Sequence, residues 1–408
     1  MFDPAASQKT PLVAVTGSLG TGGSTTFLLN LGRGFGERSL SLVVISLSDE
    51  HPMADDFAAA GISVQIVSRR RLIYEDRTRE AFLLAAAHRP AAVLACLGSE
   101  SFEVLRVLPR NVVRLGVIQS DDPGPYQMAR AYAPWLDGMV GVSEKIRQSL
   151  SADSPYQNIR IESIPYGIHF AGPSARVPRD PAAPLRLIYV GRMIETQKRI
   201  SRLIELAKVL AARQVKFEFT FAGAGPELDA AKVQLRGNGN VRFLGEIPNR
   251  EIAAVLRAQD VFVLLSDFEG LPLSLLEAMG EGVVPVVSDL ESGMREVVTA
   301  EIGIRVPVGD VAAAADAVMT LATFPGRLSA MSAAATRLAR ERYSAVGMAD
   351  RYVGLIRELS RGAAVWPADV EVPAPLHEKR RWLYRGFFRR ARRILKGSAL
   401  FGPAKEGA

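Results

Sequence analysis

Short apolar runs rich in β-branched residues alternate with longer stretches of helical period along most of the chain. The first half carries LVAVTG (12–17), SLVVISLS (41–48), ISVQIVS (62–68), AAVLACLG (91–98), VVRLGVIQS (112–120) and DGMVGVSE (137–144). Runs that are apolar on both faces and spaced by helix-length intervals predict a parallel sheet covered by helices. A Pro- and Ala-crowded stretch, PSARVPRDPAAP (173–184), predicts a linker. The alternation then restarts with LRLIYVG (185–191), a helix over 200–213, FEFTFAG (217–223), VRFLGEI (241–247), DVFVLLS (260–266) and VVPVVS (283–288). The pattern therefore predicts two doubly wound α/β domains, 1–172 and 185–342. Two such domains facing each other hold ligand between the C-terminal ends of their sheets. Beyond residue 328 the chain reads as helices, the last of them within 343–362, and 363–408 follows as a tail.

The length of 408 residues suits two or three domains, and a hydrophobic content of 48% is enough for ordinary cores. The single cysteine, Cys96, sits in an apolar run and reads as a small buried hydrophobe, which suits a reducing compartment. The start of the chain does not read as a signal peptide, because Asp3 stands where a basic segment belongs. No run approaches the ~18 apolar residues of a membrane span. The expected location is the cytoplasm or the inner face of the membrane. Of 50 basic and 43 acidic residues, nine basic residues and one acid lie within 376–396, which leaves 41 against 42 elsewhere. The high isoelectric point thus belongs to the tail, and the body gives no reason to expect nucleic acid as a partner. The four histidines lie far apart, with no metal-ligand spacing, so neither a catalytic metal nor a resident cofactor is expected.

Four segments carry candidate chemistry. In DVFVLLSDFEGLPLSLLEAMG (260–280) a strand runs into a turn holding Glu269 and Gly270, and a helix starts near Pro272. The helix start offers free N–H groups and a positive dipole end to an anion. Glu277, eight residues after Glu269, gives a second carboxylate. Two fixed acceptors of this kind can hold a polyol at two points. In LIYVGRMIETQKR (187–199) a strand ends at Gly191 and the cations Arg192 and Lys198 follow. Paired cations at a strand tip can neutralise a diphosphate leaving group. GSLGTGGSTT (17–26) is a glycine-rich turn opening a helix, which permits close backbone approach to a phosphate or sugar. It lacks the Gly-Lys-Ser/Thr of a Walker A loop and the third spacing of a dinucleotide fingerprint. In VIQSDDPGPY (117–126) Asp121 and Asp122 follow a strand tip, where either could orient an acceptor hydroxyl.

The segment EGLPLSLLEAMGEGVVPVVSDLESGMREVV (269–298), continuing to GIRVPVGD (303–310), resembles the E-x7-E block of glycosyltransferase family 4, the group 1 type. The resemblance covers roughly residues 12 to 358, and it is specific in the second half and looser in the first. It implies the GT-B fold, two Rossmann-like domains with acceptor bound by 1–172 and nucleotide sugar by 185–342, and a C-terminal helix packing back toward the first domain. It implies a retaining transfer of a sugar from a nucleotide diphosphate to a glycan or lipid-linked acceptor, without a metal, in cell-surface polysaccharide or glycolipid assembly. Glu269 would contact the donor sugar and Glu277 the ribose. The backbone of Gly270, Leu271, Pro272 and Leu273 would meet sugar and phosphate, and Arg192 and Lys198 the diphosphate. Gly22 and Gly23 look like the family's paired glycines at the interdomain cleft. Two departures stand out: Arg199 where glycine is common, and Gln119 where many members carry histidine. Glutamine is no proton acceptor at neutral pH, but front-face substitution, in which the leaving phosphate takes the acceptor proton, needs no dedicated base.

The tail segment EKRRWLYRGFFRRARRILK (378–396) combines dense arginine with aromatic and aliphatic residues at helical spacing. That composition predicts an amphipathic segment on an anionic membrane surface. Two other readings of the whole chain stay open on sequence: a catalytically silent nucleotide-sugar-binding partner subunit, and another GT-B enzyme such as an epimerase or a phosphorylase-like protein.

Overall fold

The computed structural model describes residues 11–67, 74–152, 159–170, 180, 182–361, 366 and 370–374. The basic segment 376–396 and most of the linker 173–184 lie outside the described residues. Among the described residues two sheets form, with every strand pair parallel. The first contains β1 (Leu12–Thr16), β2 (Leu42–Ser46), β3 (Ser63–Ile66), β4 (Ala92–Leu97), β5 (Val113–Ile118), β6 (Gly138–Gly141) and β7 (Arg160–Ser163), in the order β3-β2-β1-β4-β5-β6-β7. The second contains β8 (Leu185–Val190), β9 (Phe217–Ala222), β10 (Val241–Gly245), β11 (Val261–Leu264), β12 (Val284–Ser288) and β13 (Ile304–Val306), in the order β10-β9-β8-β11-β12-β13. Strand order reverses between β1 and β4 and again between β8 and β11. These reversals open a crevice at the carboxyl ends of the strands, where α/β sheets bind ligands.

The predicted strands match within a few residues at their ends, because most are runs of side chains buried on both faces; the edge strands β3 and β10 are the half-exposed exceptions. β1, β2 and β5 are buried throughout. Two strands were not predicted. β7, RIES, is polar and partly exposed at the edge of its sheet, and β13 has three residues. Each sheet is locked at the end away from the crevice by the same device. Asp137, just before β6, accepts two bonds of 2.9 Å from the Arg114 guanidinium and one of 3.0 Å from the Arg114 N–H. Asp260, just before β11, does the same for Arg186 at 2.9, 2.8 and 3.0 Å. Planar bidentate pairing of this sort fixes strand register as well as adding energy.

The chain crosses between the domains twice, and the two crossings touch. Ile168 donates its N–H to the Tyr343 carbonyl at 2.7 Å, and Ala345 donates to the Ile168 carbonyl at 2.9 Å. The following helix, α15 (Ala345–Leu359), packs on α1 (Gly23–Glu37) of the first domain, with Asp350 accepting bonds of 2.7 and 2.6 Å from Arg38. Asn30 on α1 donates to the Gly167 carbonyl at 3.0 Å. Two glycines make these approaches possible. A Cβ on Gly34 would lie 2.2 Å from the Ala345 carbonyl oxygen, and one on Gly167 would lie 2.5 Å from that of Ser344.

Candidate active site

A cleft of about 1710 Å³ separates the two domains. Gly22, Gly23, Gln119 and Asp122 line it from the first domain; Gly191, Arg192, Lys198, Glu269, Gly270, Leu271, Pro272, Leu273 and Glu277 line it from the second. Residues that lie up to 255 positions apart in the chain thus share one space. Thirteen of the fourteen residues singled out by sequence are there. Asp121 is the exception and does not line the cleft. Its carboxylate accepts the Tyr126 hydroxyl, so local hydrogen bonding turns it to another task. Asp122 does face the cleft but is already engaged. It caps α5 (Pro123–Tyr132), accepting the Gly124 N–H at 3.1 Å and the Ser120 hydroxyl at 2.6 Å.

On the second domain Arg192, Lys198 and Glu269 follow the tips of the adjoining strands β8 and β11, and Glu277 lies on the helix after them. Gly191 ends β8 with φ +159°, and Gly223 ends β9 with φ +147°. A Cβ on Gly223 would sit 1.8 Å from the Gly191 carbonyl oxygen, so the two tips interlock only as glycines. The buried Tyr189 hydroxyl donates to the Arg192 carbonyl at 2.7 Å and fixes the backbone there. Next comes the short helix α7 (Glu195–Lys198), from which Lys198 Nζ reaches Glu269 Oε1 at 2.5 Å. Both side chains are almost entirely buried, at 11% and 6% exposure, so this pair is shielded from bulk water. Gln197, not singled out by sequence, ties the group together. It donates to the Phe268 carbonyl at 3.1 Å and to Glu269 Oε2 at 3.4 Å, and its Oε1 accepts from Arg192 at 3.4 Å. Its only sequence signal is its place between the two cations.

Arg199 has φ +51° and ψ +59°, the left-handed region that favours glycine. The departure from glycine therefore falls on a position whose backbone explains the family's usual residue. Asp267 receives the Arg199 guanidinium and that of Arg202, the latter at 2.6 Å, and so holds the loop in that conformation.

Pro272 is extended and stands just before α11 (Leu273–Gly280), whose first turn opens toward the cleft. Glu277 lies on this helix among buried Leu275, Leu276, Ala278 and Met279. Burial pushes its carboxyl up to about 7, against the opposing pull of the Arg33 guanidinium from α1. Arg33 itself is held below the usual guanidinium range by burial, offset by Asp56 and Glu277.

Gln119 faces this arrangement from the tip of β5. Both its amide atoms are buried without a hydrogen-bond partner. Leaving a buried polar group unpaired costs about 1–3 kcal/mol, which favours a cleft occupant that can pair with this amide. Replacing it with an apolar residue of similar size, Gln119→Leu, is expected to raise the thermal midpoint while lowering turnover about tenfold. A lower midpoint in calorimetry would show that the amide is already satisfied in the empty cleft.

Residues 176–338 match the family model of glycosyl transferases, group 1. The chain is 35% identical over 171 residues to the putative colanic acid biosynthesis glycosyltransferase WcaL of Escherichia coli (strain K12), covering 40% of this chain and 41% of that one. It is 34% identical over 149 residues to the amylovoran biosynthesis glycosyltransferase AmsK of Erwinia amylovora, covering 34% and 36%. The matched segments thus span about two fifths of the length of these relatives. Among solved structures, Anabaena HepE in complex with UDP and glucose superposes with a TM-score of 0.70 at 14% identity, over 85% of this chain and 99% of that one. With the family match confined to residues 176–338 and the structural likeness spanning both halves, the chain has the two-domain GT-B fold, and its second domain is similar to the group 1 glycosyl transferases.

Proposed function

We propose that the protein is a retaining glycosyltransferase that moves a sugar from a nucleotide diphosphate to a glycan or lipid-linked acceptor in cell-surface polysaccharide assembly. The observation that carries this reading is the buried Lys198–Glu269 pair at the cleft, with Arg192 beside it and Glu277 on the adjoining helix. A cation and an acid so placed serve opposite ends of one bond. Glu269 accepts from hydroxyls of the transferred sugar. Lys198 and Arg192 take up the charge that grows on the leaving diphosphate, a task that needs no metal here. Glu277 accepts from the ribose hydroxyls, and the start of α11 faces phosphate. The bond from the anomeric carbon to the phosphate oxygen breaks. The bond to the acceptor oxygen forms on the same face, and the acceptor proton passes to the departing diphosphate. Gln119 then has an orienting role, its amide pairing with a substrate hydroxyl.

The relatives named for colanic acid and amylovoran biosynthesis support the cell-surface role, and the HepE complex supports a nucleotide sugar as donor. The sequence of 376–396 supports contact with an anionic membrane, where a lipid-linked acceptor resides. No helix among the described residues is long and apolar enough to cross a membrane. The test is a panel of UDP, GDP and ADP sugars with purified protein, with and without a membrane-lipid extract. Nucleotide release from one donor, retained anomeric configuration in the product and loss of both in Glu269→Gln support the proposal. Donor binding with no release in the presence of a competent acceptor mixture overturns it in favour of a silent binding subunit.

A further inference from the structure

The turn that carries Glu269 and Gly270 is held from behind by contacts that run into the first domain. Glu296 lies on α12 (Gly293–Val297). Its carboxylate accepts the Glu144 N–H at 3.1 Å and the Lys145 N–H at 2.9 Å. These are the first two residues of α6 (Glu144–Ser151) in the first domain, whose amides have no partner inside their own helix. The third amide of that turn, Ile146, is taken by the Ser143 hydroxyl at 3.2 Å. A carboxylate from one domain thus completes the cap of a helix in the other, with the helix dipole in its favour.

The same short helix touches the donor-side turn. The Gly293 N–H donates to the Gly270 carbonyl at 2.8 Å. A Cβ on Gly293 would lie 2.8 Å from that oxygen and 3.1 Å from the Ser143 Cβ, so the two domains meet here with no room for a side chain. Gly270 in turn abuts the first domain, where a Cβ would lie 2.7 Å from the Gln119 carbonyl oxygen. On the far flank, Thr21 of the glycine-rich loop donates to Glu246 after β10. The cleft is therefore bridged on both sides.

We propose that Glu296 is a positioning residue: by capping α6 across the domain boundary it holds α12, and through Gly293 the Glu269–Gly270 turn, in register over Gln119 in the closed form. The catalytic consequence rests on the function proposed above; the effect on closure does not. Removing the carboxylate leaves two amides of α6 to water and favours the open form, in which the amides are hydrated. The turn then meets the first domain less often, while the nucleotide site, built on the second domain, stays intact.

The experiment uses full-length Glu296→Ala and Glu296→Gln. Small-angle scattering of the unliganded proteins reads closure, and calorimetric titration with UDP, GDP and ADP reads the nucleotide site. Glu296→Ala is expected to enlarge the radius of gyration, to change nucleotide affinity less than about threefold, and to lower turnover about tenfold. Glu296→Gln keeps one acceptor oxygen and should recover most of both closure and turnover. A wild-type scattering profile in Glu296→Ala overturns the proposal. So does a Glu296→Gln protein no better than Glu296→Ala with a lowered melting temperature in both, which would mark a purely structural residue. Scattering needs no turnover, so a wild-type protein that transfers nothing would defeat the functional reading without deciding this one.

Discussion

Lys198→Ala is expected to lower kcat by about 10²–10³-fold while donor affinity falls only a few-fold. In the proposed reaction the ground-state diphosphate already carries its charge, and Arg192 and the start of α11, which line the cleft, would meet it. What grows during the reaction is the charge on the bridging oxygen as its bond to the sugar breaks. A cation aimed at that oxygen in a water-poor cleft acts on the transition state far more than on the ground state. Lys198 has a second effect through Glu269. The pair lies 2.5 Å apart and is nearly buried, so truncating the lysine leaves a shielded carboxylate with, among the described residues, only the Gln197 amide for a partner. Glu269 would then turn or take up a proton, and its hold on the sugar would change. The two substitutions should therefore not be additive: Lys198→Ala with Glu269→Gln should be little slower than Lys198→Ala alone. Single-turnover kinetics on the four proteins of this cycle checks both statements. Wild-type turnover in Lys198→Ala would remove Lys198 from the diphosphate.

The second domain was the more legible half for a physical reason. Its site is assembled from two neighbouring strand tips, each with the helix after it, so the spacing from Arg192 to Lys198 and from Glu269 to Glu277 survives in the linear sequence. The strands were legible because LVAVT or VPVVS can only be buried on both faces. β7 was not, because this edge strand, RIES, carries no apolar run. The first-domain side of the cleft was read less well. Asp121 and Asp122 share a strand tip, and nothing in their order tells which one Tyr126 takes and which caps α5. Of the contacts between domains, the return of the last helix was expected, but the one made by Glu296 left no trace. Glu296 and Lys145 are 151 residues apart, and a helix cap supplied from another domain has no period or motif to betray it. Arg199 was visible as a departure, but its left-handed backbone became apparent only from the loop between α7 and the next helix, α8 (Ile200–Ala212).

Glu277 should make stability and donor affinity respond to pH in opposite directions. Its carboxyl titrates near 4.5 in an open chain and is pushed up to about 7 in the folded protein by burial, with Arg33 opposing. Arg33 is shared with Asp56, and Glu281, one turn further along α11, is paired with Arg257 at 2.7 Å. Between pH 4.5 and 7 the folded protein therefore holds a proton at Glu277 that the unfolded chain has released. The stability this group contributes is fully present below about 4.5 and is lost as pH rises through about 7, an effect of order 3 kcal/mol. Glu277→Gln removes it, so the stability of the variant relative to wild type should rise with pH across that window and level off above it. Binding runs the other way. Ribose hydroxyls donate best to an ionised carboxylate, so donor affinity should follow the ionised fraction and increase roughly tenfold from pH 6 to pH 8. A nucleotide sugar is the right probe, because a free nucleoside diphosphate has a terminal phosphate that itself titrates near ~6. In Glu277→Gln the affinity should be lower and flat across the same range. Titration calorimetry at four pH values, paired with denaturant unfolding at the same values, gives both slopes. A flat wild-type affinity with the stability slope intact would mean that Glu277 is buried as described but does not touch the nucleotide.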